Sequence, residues 1–208
     1  MNKKLAIYTL VALLTSSIVT ASISDRTNAY EQNLVQTPPA NTSPMDRGME
    51  MRVEVDKQFI EMMIPHHQSA NEMAQMALNR ATSPEVKKLA QSIIEEQTRE
   101  IEQMQTWYKQ WYGTEVPTTG MNMGMQSGMD QSMMQMEMME ALENAQNFDQ
   151  EFLRQMTRHH QMATMMAGMV VNSAQHREIR NLAQNIIKSQ SAEITQMQQL
   201  LQAMNTPN

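Results

Sequence analysis

Met63-Ile64-Pro65-His66-His67-Gln68-Ser69-Ala70-Asn71-Glu72-Met73 returns 93 positions later as Met156-Thr157-Arg158-His159-His160-Gln161-Met162-Ala163-Thr164-Met165-Met166. The match extends without a gap at that offset. Phe59 pairs with Phe152, Leu89 with Leu182, Ile93-Ile94 with Ile186-Ile187, Gln97 with Gln190 and Ile101 with Ile194. Polar and apolar positions repeat alike, so the unit is a duplicated element, not a coincidence of helical periodicity.

The unit is a helical hairpin. Phe59, Met63, His66, Ala70, Met73 and Ala77 recur at helical spacing over 53–81. Thr82-Ser83-Pro84-Glu85 then punctuates the chain. Ser83 suits a helix N-cap, Pro84 the first helical position and Glu85 the positive end of the helix dipole. The next apolar stripe runs from Val86 to about Tyr112, and Gly113, Pro117 and Gly120 end it. No stretch alternates as a strand does. Two such hairpins, 53–112 and 147–204, predict an all-α, four-helix bundle. Up-down-up-down order makes the first and third helices parallel, which places the two histidine doublets at one depth, facing each other.

Outside the hairpins, Lys3-Lys4, the apolar run Leu5–Leu14 and Val19-Thr20-Ala21 read as a secretory signal peptide over 1–21. The run is too short to span a bilayer, which takes about 20 apolar residues. After signal removal no membrane span is expected, and the protein is expected to be periplasmic or secreted. Residues 22–52, with Pro38-Pro39 and Pro44, read as a flexible linker. Residues 113–146 read as a Met-rich connection carrying Met121, Met123, Met125, Met129, Met133, Met134, Met136, Met138 and Met139. Its first part is Gly-rich, and its second part has helix-compatible spacing.

Composition narrows the function. A formal net charge of −6 disfavours nucleic acid and suits cations. There is no cysteine, so any metal must be held without thiolate. There are 25 methionines against 2 Trp, 4 Tyr and 3 Phe, more than core filling alone explains.

Four of the five histidines lie in the doublets. Met63 sits one helical turn before His66 and His67, and Met156 one turn before His159 and His160. Di-iron bundles place a carboxylate at that position, as Glu-x-x-His. Here a soft neutral thioether stands there twice. Thioether with imidazole favours Cu(I) and its analogue Ag(I) over iron, manganese, magnesium or zinc. A lone histidine would most simply be a core residue; the duplicated doublet with its methionine points to ligands. Met73 and Met166 lie further along the same face, where packing explains them as well as ligation. Met162, Met165 and Met169 lack full counterparts in the first copy and are accessory candidates, Met162 foremost. His176, alone at the second hairpin turn, is expected to be exposed, a weak surface Cu(II) contact at most. Counting residues from the first turn places Gln97 near His67 and Gln190 near His160. They are candidates to hold the second nitrogen of a ligating imidazole.

Asp56-x-x-Phe59-x-x-x-Met63-x-x-His66-His67-x-x-Ala70-x-x-Met73-Ala74, with its second copy from Asp149 to Ala167, resembles the repeat motif of the domain-of-unknown-function family 305. The resemblance covers 53–112 and 147–204. It implies a ferritin-like four-helix bundle whose consecutive histidines bind monovalent copper or silver. It also implies a periplasmic metallochaperone in copper resistance, a binding protein and not an enzyme, with a periplasmic copper sensor or efflux component as protein partner. The residues alone leave other readings open. One is a bundle holding non-covalent haem through His and Met, since no C-x-x-C-H attachment motif is present. Others are a metal-oxidising bundle and a Met-rich interaction protein.

Overall fold

The computed structural model describes residues 44–117 and 125–206, with side chains from residue 52 in the first stretch and from residue 133 in the second. The signal-peptide region, Met121 and Met123 lie outside the described residues. Among the described residues the chain is all-helical: α1 (Pro44–Arg80), α2 (Pro84–Tyr112), α3 (Met125–Glu143), α4 (Phe148–Val170) and α5 (Arg177–Asn205). α1 begins inside the stretch read as linker. No described helix is long and apolar enough to cross a membrane.

Local chemistry sets the helix ends. Ser83 accepts from the Val86 N–H, with Pro84 and Glu85 in the first turn of α2. Gly113, at φ 70°, takes the left-handed conformation that closes α2, its N–H donating to the Lys109 carbonyl. Asn147 caps α4 through the Gln150 N–H. Pro65 lies inside α1. It lacks the N–H that would reach back one turn to Glu61, so the helix loses a rung immediately before His66.

The direction of the helices departs from the up-down-up-down expectation. The carboxylate of Asp56, near the start of the first histidine helix, accepts from the backbone N–H groups of Gln175 and His176, beyond the end of α4. Asp149, at the start of α4, accepts from the N–H groups of Thr82 and Ser83, beyond the end of α1. α1 and α4 are therefore antiparallel, and the order is up-down-down-up. The cause lies in the connection. α2 ends beside the beginning of the α1 core segment, where the Tyr112 hydroxyl donates to the Val53 carbonyl. α4 begins at the other end, where Arg80 donates to the Leu142 and Glu143 carbonyls and lies over the Phe148 ring. The chain between them must run the length of the bundle, and α3, at about 1.5 Å per residue, spans most of it. One long crossover of this kind is the ferritin-like solution.

The core is split in two. One cluster contains Phe59, Ile60, Met63, Met104 and Tyr108 with Ala163, Met166, Ala167, Ile179 and Ile186. The other contains Ala70, Met73, Ala74, Ile93 and Leu142 with Phe152, Leu153, Met156 and Met197. α3 joins the second cluster through buried Leu142 and partly buried Met139, with Met138 also buried. Met133 and Met136 on α3 are 66% and 70% exposed, and Met134 is also exposed. Met125 and Met129 lie in α3, their side chains outside the description.

A candidate metal centre between two apolar clusters

The histidine doublets occupy the layer between the two clusters. His66, His67, His159 and His160 are 3%, 0%, 2% and 0% exposed. The His66 and His159 rings meet across the α1–α4 contact, centroids 3.7 Å apart and planes at 40°. Within each doublet the rings stand 6.3 and 6.4 Å apart, both at 57°. The duplication is thus repeated in three dimensions. The doublets are joined through the His66–His159 contact, by the crossing of antiparallel helices and not by the parallel register the sequence suggests.

Antiparallel packing also separates the methionines. Met63 shares a cluster with Ala163 and Met166, and Met156 shares the other with Ala70 and Met73. One thioether therefore lies on each side of the histidine layer, and Met63 and Met156 do not face each other. All four of these methionines are buried. Met162 is half-buried, and Met165 and Met169 are exposed.

The groups holding the outer imidazoles are carboxylates that the residue count missed. His67 Nε2 lies 2.7 Å from Glu100 Oε2, and His160 Nε2 lies 2.7 Å from Glu193 Oε2. Gln97 and Gln190 are buried on the same helices, one turn earlier, but do not make these bonds. A helical side chain leans toward the N-terminus of its helix, so Glu100 covers the level that counting assigned to Gln97. Glu100 and Glu193 stand at the 93-residue offset, as Glu85 and Glu178 also do.

A carboxylate only accepts, so Nε2 of His67 and of His160 donates, and in the neutral ring this leaves the lone pair on Nδ1. Those Nδ1 atoms are buried without a hydrogen-bond partner, as are Nδ1 and Nε2 of His66 and Nδ1 of His159. An unpartnered buried polar group costs about 1–3 kcal/mol. The layer therefore opposes folding by several kcal/mol unless something satisfies it. Burial, with His67 and His160 adding to it, lowers the His66 pKa to about 3. Burial, with His66 adding to it, holds His159 well below the usual imidazole range. Both rings are neutral near pH 7, the form that binds metal. Neutral nitrogen lone pairs with thioethers one turn away fit a soft monovalent cation. Among the described residues, no three His, Asp or Glu side chains converge as a metal-binding group.

His176 is not the free surface residue expected. Its Nδ1 lies 2.6 Å from Asp56 Oδ2, and its ring stacks on Trp111 at 3.7 Å and 4°. The sequence motif contains Asp56 and Asp149 but gives no hint that each caps the opposite hairpin.

The family model for a domain of unknown function, DUF305, matches residues 56–201. Among solved structures, CopM in the Cu(I)-bound form is 48% identical, covering 73% of this chain and 98% of that one, with a TM-score of 0.62. CopM also matches in Cu(II)-bound and Ag-bound forms, at 48% and 47% identity. A DUF305 fragment from Deinococcus radiodurans is 27% identical, covering 72% of this chain and 96% of that one, at a TM-score of 0.62. The uncharacterized protein L153 of Acanthamoeba polyphaga mimivirus is 45% identical over 49 residues, 24% of this chain and 32% of that protein. The match thus spans about a third of the viral relative. Both histidine doublets, both exchanged aspartates and both glutamates fall inside the span of the family model, and the chain belongs to the DUF305 family.

Proposed function

We propose that the histidine layer binds Cu(I), with Ag(I) as its analogue, and that the protein carries or scavenges copper outside the cytoplasm, contributing to copper resistance. The observation that carries this reading is the set of five imidazole nitrogens buried in one layer without partners. A polar layer that destabilises an apolar core needs a ligand to satisfy it. Neutral donors suit a soft cation that must later be passed on, since no anionic ligand pins it. Similarity to CopM, solved with copper and with silver, supports the same class of ligand here.

In this reading Glu100 and Glu193 fix the tautomers of His67 and His160 and turn their Nδ1 lone pairs into the layer. His66 and His159 supply the inner nitrogens. Met63, Met156, Met73, Met166 and Met162 are the thioethers available to complete coordination. Exposed Met133 and Met136 add weaker capacity on α3. The site is a binding site and not a catalytic one, and the partner proteins are a periplasmic copper sensor or efflux component. A haem held between His66 and His159 is excluded, because rings 3.7 Å apart leave no room for a porphyrin.

The test is an anaerobic titration with Cu(I), Ag(I), Zn(II) and Fe(II). It is run on the wild type, on His66→Ala/His159→Ala and on Met133→Leu/Met136→Leu. Tight binding of Cu(I) and Ag(I) alone is expected. The histidine variant should lose the tightest site and keep its helix content, and the methionine variant should lose only weaker capacity. Unchanged tight binding without the two histidines would overturn the assignment.

A further inference from the structure

We propose that the cleft between α2 and α5 is the passage by which the metal ion reaches and leaves the histidine layer, with Glu100 at its inner end. The proposal rests on the copper-binding reading of that layer. The cleft has a volume of ≈ 400 Å³ and takes its walls from both helices, among them Glu96, Arg99, Glu100, Lys188, Ser189 and Ala192. Glu96 and Ser189, like Arg99 and Ala192, are related by the 93-residue offset. The cleft therefore opens where the two hairpins mirror each other, which is also where His66 and His159 meet.

Glu100 belongs to both places. It lines the cleft, and its Oε2 accepts from His67 Nε2 at 2.7 Å. Its side chain is 7% exposed while His67 is 0% exposed, so it stands between solvent and ring. Gln97 lies on α2 between Glu96 and Glu100, and Gln190 directly follows Ser189. Both amides are 2% exposed, and both side-chain oxygens lack a partner. Along the bundle axis the layer is closed by apolar residues. One cluster closes it on the Met63 side and the other on the Met156 side. α3 packs on α1 and α4, and none of its residues lines this cleft.

A passage sets rates without setting affinity. The full-length protein is loaded with Cu(I) anaerobically and mixed with excess of a small bidentate colorimetric chelator. Release is followed by absorbance at saturating chelator, and affinity is measured separately by equilibrium competition. Ala192→Trp places a large side chain on the exposed wall and should slow release by about tenfold or more while affinity stays within about twofold. Lys188→Glu reverses a charge at the wall and should speed both loading and release several-fold at low salt, the gain fading at high salt.

Wild-type release rates in both variants would overturn the proposal, because the ion would then leave by another route. Faster release from Ala192→Trp with affinity lost in proportion would also overturn it, because the cleft would then be part of the site itself. Should the Trp variant not fold, an unaltered rate in Lys188→Glu is sufficient to reject the passage. Absence of tight Cu(I) binding by the wild type, seen in the equilibrium competition before any rate is measured, would instead reject the copper reading.

Discussion

The two hairpins share their interior and differ at their edges. Each contributes one histidine to the central contact, one to a carboxylate, buried thioethers to both apolar clusters and one aspartate to its partner's turn. At the turns they part. Ser83 caps α2 with its hydroxyl, whereas His176, at the matching position, makes no side-chain cap and stacks on Trp111. Pro65 in α1 is matched by Arg158 in α4, and Glu72 by the exposed Met165. The copies agree at the histidine doublets, the two glutamates and the two exchanged aspartates, and they diverge at the turns, where His176 meets the other hairpin through Asp56 and Trp111 while Ser83 does not.

Acid should strain that agreement most. His66 and His159 stay neutral when folded but take up a proton near pH 6.5 when unfolded. Below that pH the unfolded chain binds more protons than the folded one, so stability falls as pH falls. The slope is about 1.4 kcal/mol per pH unit for each histidine. From about pH 6.5 to about pH 5 the metal-free protein should lose roughly 3 kcal/mol, measured by urea denaturation. His66→Gln and His159→Gln should each remove about half of the slope. If one histidine carried nearly all of it, the layer would not be equivalent in the two copies.

The exchanged aspartates come next. Asp149 accepts from two backbone N–H groups and the Thr82 hydroxyl, and Asp56 from two backbone N–H groups and the His176 ring. Asp149→Ala and Asp56→Ala should each cost about 2–4 kcal/mol, since each leaves backbone donors unmet at the opposite turn. Equal midpoint shifts in thermal or urea unfolding would show that the turn residues Ser83 and His176 are interchangeable to the aspartate. A much larger loss from Asp56→Ala would mean that the His176 stack depends on it.

A smaller effect separates the two carboxylates. Glu100→Gln and Glu193→Gln keep a hydrogen-bond partner for the imidazole and remove the charge. Each should weaken Cu(I) binding by about tenfold, roughly 1.4 kcal/mol. The side chain of Glu100 is 7% exposed and that of Glu193 13%. The loss should therefore be slightly greater at Glu100, where solvent screens the carboxylate less. Equilibrium competition with a chromogenic chelator measures both, and no loss at either would remove the glutamates from the proposed metal centre.

Much of this molecule is legible in its sequence because much of it is local. Ser83, Pro84, Glu85 and Gly113 announce the ends of α2, and the structure places them there. The 93-residue offset delivers the hairpins and the convergence of the doublets. What is not legible depends on direction. Periodicity places the doublets on faces but cannot tell a parallel from an antiparallel α1–α4 contact, since His66 meets His159 either way. Length is the missed clue, because a connection from 113 to 147 is long enough to return α4 to the far end of the bundle. Once direction is lost, Asp56 has no partner to be read, and Met63 is placed opposite Met156. The role given to Gln97 fails for a different reason: counting locates Cα atoms, while Glu100 reaches back a turn from where its backbone lies.

The exchange of aspartates between turns has a consequence for assembly. Each hairpin gives the other what it receives: a carboxylate to the turn, a ring to the stack and a methionine to the neighbour's cluster. Such a contact is isologous, its two-fold axis passing between His66 and His159, and a surface of this kind is its own complement. Two separate copies of one hairpin would meet in the same way, as a homodimer whose histidine layer forms only where the chains are concentrated enough to pair. The crossover through α3 removes that dependence. It makes the pairing of the halves intramolecular. The layer then remains assembled at any dilution of the protein.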